Sequence, residues 1–195
     1  MKYSCTIYLT LASAAFCLPA CQNKPETADQ TITDSTAQLT KPALTALPEA
    51  PLPDQLRTLG LTQTGDWRGI ALGDSLGVAR ATEKAAKSEL FEEDKQHIGY
   101  GIELKQLESM DVQYVHQSGL ITGIQADLYL NSKPSVTAYT SDIAAYFTAR
   151  YGRPTVANGQ TTWIGPRGGN ISLKNVSKGK DFGLKVSINK LVGGL

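Results

Sequence analysis

Apolar positions divide the chain into three regimes. Residues 7–18 form one long apolar run, residues 22–53 show no period, and strand-like and helix-like spacings follow each other from about residue 54. At 67–72, Trp67, Gly69 and Ala71 alternate with Arg68, Ile70 and Leu72, which predicts a short strand. Gly73-Asp74-Ser75 then offers a turn and a helix N-cap, and the Ala- and Lys-rich segment 75–88 predicts a helix with Val78, Ala81 and Ala85 facing the core. Ile98, Tyr100, Ile102 and Leu104 alternate strictly, as do Val112, Tyr114 and His116, and then Ile124, Ala126, Leu128 and Leu130. These are three half-buried strands, with a hairpin turn at Gln117-Ser118-Gly119.

Helical spacing returns at Val136, Tyr139, Ile143, Tyr146, Phe147 and Tyr151, and Gly152 and Pro154 end that helix. Strands are expected again at 161–164, 171–176 and 182–188, the first introduced by Asn158-Gly159. Helix followed by three strands thus occurs twice, which suggests a duplicated α-β-β-β unit. Short turns force antiparallel neighbours. The expected class is α+β, one antiparallel sheet covered on one face by two helices.

The first regime is too short to span a bilayer, which takes about 20 apolar residues. Lys2 with the terminal amine, the apolar run and Leu18-Pro19-Ala20-Cys21 have the layout of an export signal, 1–20. The last four residues resemble the lipobox of bacterial lipoproteins, in which the cysteine is acylated and becomes the new N-terminus. That resemblance implies lipidation, palmitate included, at Cys21, and a membrane held through the N-terminal lipid. The three cysteines are Cys5, Cys17 and Cys21, so the expected mature chain has no cysteine pair for an internal disulfide. Segment 21–53, with Pro25, Pro42, Pro48, Pro51 and Pro53 among Thr, Ala and Gln, reads as a lipidated N-terminus and disordered tether, leaving 54–195 as the folded domain. Gln22, where enterobacterial-type sorting places Asp to retain a lipoprotein at the inner membrane, points to a bacterial envelope protein of the outer membrane.

Candidate chemistry is sparse. Gly73-Asp74-Ser75-Leu76 spells the nucleophile block of the GDSL or SGNH hydrolases, with Ser75 as nucleophile. That family's Asp-x-x-His block stands far downstream, whereas here its match is Asp94-Lys95-Gln96-His97, and no Gly-x-Asn-Asp block exists. A helix cap accounts for Asp74 and Ser75 as well, so no catalytic residue is assigned and no enzyme is expected. His97 and His116 fall on different strands, and Glu92, Glu93 and Asp94 lack calcium-loop spacing and read as a solvated turn. No phosphate loop or dinucleotide fingerprint occurs; no metal or cofactor is expected.

Charge is unevenly placed. The whole chain carries +1, and 0 once 1–20 are removed, so no global field draws nucleic acid. Yet from residue 150 to 195 eight basic residues face one acidic, a net of +7, while 83–111 carries eight acidic against four basic, a net of −4. Arg167, Lys174, Lys178, Lys180 and Lys185 are the candidate partner-binding residues, if Lys185 faces outward opposite the core-facing Leu184, Val186 and Ile188. Solubilising charge and edge protection are the competing account.

In element order over about residues 66–190, the domain resembles envelope lipoproteins of the BamE and beta-lactamase-inhibitor type, which combine helices with an antiparallel sheet and bind other proteins. No motif is shared, so no functional residue carries over. The resemblance implies a non-catalytic protein-binding or assembly-support module whose partner is another envelope protein. A binder of an anionic envelope polymer through the basic half, and a Ser75 hydrolase, are the alternatives.

Overall fold

The structure, a computed structural model, describes residues 51–165 and 168–190; Cys21, the predicted signal and nearly all of the predicted tether, and Arg167 lie outside them. Three helices occur among the described residues, α1 Asp54–Thr58, α2 Leu76–Ala85 and α3 Lys133–Tyr151. The strands are β1 Glu89–Glu93, β2 His97–Glu103, β3 Ser109–Gln117, β4 Leu120–Leu130, β5 Thr155–Ala157, β6 Gln160–Ile164, β7 Gly169–Asn175 and β8 Phe182–Lys190. All eight join one antiparallel sheet in the order β1-β2-β3-β4-β8-β7-β6-β5. The α+β class is therefore as the alternation predicts.

That order mirrors itself about the β4–β8 seam, where Asp127 lies opposite Lys185 and Leu128 opposite Leu184. A helix with a four-strand meander is followed by a second helix with a second meander. Each unit has four strands rather than the expected three. The additional ones, β1 and β5, are the two sheet edges, and every residue in both is exposed. With no buried face they carry no alternation, so Glu92 and Glu93 read as a solvated turn although they belong to β1.

Two further expectations are corrected. Residues 67–72 are not a sheet strand: Trp67 and Ile70 bond to each other across a two-residue turn at Arg68-Gly69 and are both fully buried. The helix at 75–88 is shorter, and it buries Ala79 and Glu83 while Val78, Ala81 and Ala85 are exposed. The inward face of α2 is set by a buried charge.

Inward side chains of the strands meet α3. Ile98, Val112, Tyr114, Ile124, Leu128, Ile171, Leu184, Val186 and Ile188 are buried there with Val136, Tyr139, Ile143, Tyr146 and Phe147 of the helix. Phe147 is central, its ring centroid 6.2 Å from Trp67, 5.4 Å from Trp163 and 6.0 Å from Tyr151. Ser132 caps α3 by accepting from Ser135 N, and Gly152, at φ +82°, ends it where a side chain would be strained. Among the described residues no helix is long and apolar enough to cross a membrane.

Candidate functional site

With the helices on one side, the other sheet face is left open, and the cross-strand register states what it presents. One row runs Glu89, Gly101, Asp111, Asp127, Lys185, Lys174, Gln160 across seven strands. The next row contains Gly99, Gln113, Gln125, Ser187, Ser172 and Thr162. Acidic residues thus occupy the first meander and basic residues the second. Lys174 and Lys185 do share the open face, as the alternation in β8 and β7 requires.

This charge order is costly in one respect. Asp111 stands directly opposite Asp127, and Lys185 directly opposite Lys174, and like charges so placed destabilise a sheet. The Asp127–Lys185 ion pair at the seam, 3.2 Å, offsets part of this, and Gln125 donates to Asp127 at 3.0 Å. Lys174 has no ion-pair partner among the described residues. Glu92, on the β1 edge, accepts from Gln113 at 3.0 Å.

Beside the charged row lies an apolar spot. Tyr129 of β4 is 52% exposed and faces Gly183 of β8 across the seam. Burial, then the negative charge of Asp111, raise its hydroxyl above the usual phenol range. A methyl built on Gly183 would meet Leu128 O at 3.0 Å and Val176 Cγ2 at 3.4 Å, so the half-exposed Val176 helps to cover this buried glycine from the far side. Tyr129 and Val176 form an exposed apolar spot beside the charged row, with the buried Gly183 between them. Lys178 and Lys180 lie beyond it in the β7–β8 turn, where Lys178 pairs its backbone with Asp181. Of the sequence candidates, Lys174 and Lys185 come together, Lys178 and Lys180 flank them at the same end of the sheet, and Arg167 lies outside the described residues. Sequence reasoning misses Tyr129, Val176 and the facing aspartates, which become neighbours only once register is known.

The hydrolase-like block resolves differently. The Ser75 hydroxyl accepts from Val78 N as the N-cap of α2, and Asp74 accepts from Ala71 N at 2.8 Å. His97 bonds Asp94, whose carboxyl is held low by backbone N–H groups of Gln96 and His97. Both ring nitrogens of His116 lack a partner among the described residues, and no described hydrogen bond joins either histidine to Ser75. No group of three His, Cys, Asp or Glu side chains among the described residues is placed to hold a metal.

One titratable cluster is internal. Arg68 gives Nε and Nη2 to the two carboxylate oxygens of Glu83 at 2.8 and 2.9 Å and Nη1 to Leu59 O at 2.7 Å. Ser88 and Tyr114 hydroxyls also donate to Glu83, so its lone pairs are used. Burial pushes the Glu83 carboxyl up, but the hydrogen bonds and charge of Arg68, with Ser88 and Tyr114, prevail and hold it below the ordinary range. Fully paired and closed to solvent, this cluster ties α1, the Trp67–Ile70 turn, α2 and β3 together; it is structural.

No family model, curated protein or solved structure matches this chain.

Proposed function

We propose that this chain is a lipid-anchored protein of the bacterial envelope, delivered to the outer membrane, that binds another envelope protein through the open face of its sheet. The observation that carries the reading is the pairing of like charges, Asp111 with Asp127 and Lys185 with Lys174, beside the exposed Tyr129 and Val176. A sheet evolving for stability alone would interleave these charges. An exposed aromatic side chain with charged residues of both signs beside it has the makeup of a protein interface, aromatic centre and polar rim. The partner would set an apolar side chain against Tyr129 and Val176, a basic group over the aspartates and an acidic group over the lysines.

A uniformly anionic polymer fits less well, because it would meet Asp111 and Asp127 on the same strip as Lys174 and Lys185. A Ser75 hydrolase is disfavoured by the use of that hydroxyl as a cap.

The test is a photo-crosslinking residue at position 129 of the acylated protein in its own cells, with position 138 on α3 as the control. One discrete protein adduct at 129, absent at 138 and lost in Lys174→Glu/Lys185→Glu, is expected. Equal labelling at both positions, or an adduct indifferent to the charge reversal, overturns the reading.

A further inference from the structure

In sign, the charged row of the open face is antisymmetric about the β4–β8 seam. Outward from the seam stand Asp127 and Asp111 on one side, Lys185 and Lys174 on the other. Next come Gly101 on β2 and Gln160 on β6, one without a side chain and one with a long one. The neighbouring row repeats the contrast in bulk, with Gln125 and Gln113 on one side and Ser187 and Ser172 on the other. Along the seam itself, Tyr129 stands opposite Gly183. Each of these positions has its opposite, in charge or in size, at the same distance across the seam. Within one chain only the inner charges are matched: Asp127 pairs with Lys185, while Asp111 and Lys174 have no ion-pair partner among the described residues.

Such a surface is complementary to itself under one rotation. A two-fold axis parallel to the sheet and running along the seam carries every strand of one copy onto its counterpart across the seam in a facing copy. Asp111 then meets Lys174, and Asp127 meets Lys185, and the symmetry makes each contact twice. Gln113 falls on Ser172, Gln125 on Ser187 and Gln160 on Gly101, so long side chains meet short ones. Tyr129 comes over Gly183, which has no side chain to oppose it, and against the Val176 that covers that glycine. An axis across the strands would instead set aspartate on aspartate and lysine on lysine. Sheets packed face to face keep their strands within about 30° of each other, so the match is held best near the seam, where the four charges stand. Strand and residue spacings give the face from β2 to β6 about 800 Å² per copy, the size of a stable interface.

Resting on the reading of the open face as a binding surface, but not on the lipid anchor, we infer that the partner seated there is a second copy of this chain. The two sheets pack face to face about a two-fold axis parallel to the β4–β8 seam. The second copy supplies what the face calls for: lysines over the aspartates, aspartates over the lysines, and apolar side chains against Tyr129 and Val176. At the axis Asp127 and Lys185 of the two copies alternate as a ring of four charges. The like-charge neighbours within each sheet are thereby faced by opposite charges. Because the contact is isologous, it closes at two copies.

Charge exchange separates this dimer from the stability of the single sheet, because the two make opposite demands. Asp111→Lys sets a lysine beside Asp127 in its own sheet and against Lys174 of the second copy. Lys174→Asp likewise sets an aspartate beside Lys185 and against Asp111 of the second copy. Two differently tagged full-length copies are co-expressed, extracted in mild detergent and recovered through one tag. Either single variant, present in both copies, should raise Tm by about 1–3 °C. It should nevertheless cut recovery of the second tag roughly tenfold or more. Recovery should return when one copy carries Asp111→Lys and the other Lys174→Asp, and again when every chain carries both changes; a folding defect would not be rescued in this way. Wild-type copies that fail to co-purify, or a recovery indifferent to the single changes, overturn the inference. If position 129 then crosslinks to a different protein, the open face stands as a binding surface and only the second copy is rejected. With no adduct at 129 either, both readings fall.

Discussion

At the scale of single residues, the strongest local commitment is the Arg68–Glu83 pair. Removing one member of a buried, hydrogen-bonded ion pair leaves the other charge unmatched, at about 3–5 kcal/mol. Glu83→Gln should lower the stability measured by urea unfolding at pH 7 by that order, whereas Arg68→Met/Glu83→Leu should recover most of the loss. Because the folded Glu83 carboxyl lies below its ordinary value of 4.5, its contribution is complete above that value. It is lost as the pH falls through the folded pKa, since the unfolded state then takes up the proton first. Wild type should therefore show a steeper decline in stability below about pH 4.5 than the Arg68→Met/Glu83→Leu variant; parallel profiles would remove Glu83 from the account. Leu107→Gly is the opposite case. Relief of one left-handed leucine should stabilise the domain by about 1 kcal/mol, visible as a raised urea midpoint with unchanged slope.

Among the elements, legibility follows burial. β2, β3, β4 and β8 have one buried and one wet face, and their alternation marks them in the sequence; α3 is marked by its apolar spacing and by Gly152. β1 and β5 leave no such trace, being edges with nothing buried. The spacing places α2 well but turns it the wrong way, because its core contact is Glu83, a residue type that pattern reading assigns to solvent. Segment 67–72 alternates like a strand yet folds as a turn about Gly69, a local preference outweighing the pattern. Of the candidate site, Lys185 and Lys174 are legible from the alternation in β8 and β7, but their proximity to the aspartates and Tyr129 is not, since these lie on β3 and β4 and become neighbours only through register. The caps give a test at this scale. Ser132→Ala should cost roughly 1 kcal/mol, as α3 loses the acceptor for Ser135 N. Ser75→Ala should cost less, its bond to Val78 N being 3.4 Å long; unfolding curves of the two variants check the order.

For the whole molecule, two similar meanders joined at the β4–β8 seam produce a sheet whose halves carry opposite charge. The helices fill one face, and the proposed binding uses the other. The proposed envelope role presupposes one modification, acylation of Cys21. Mass spectrometry of the N-terminal peptide from the membrane-extracted protein tests it directly. The account predicts a chain that starts at Cys21 and carries thioether-linked and amide-linked acyl groups. A retained Met1, or a processed product whose thiol is free, would contradict it.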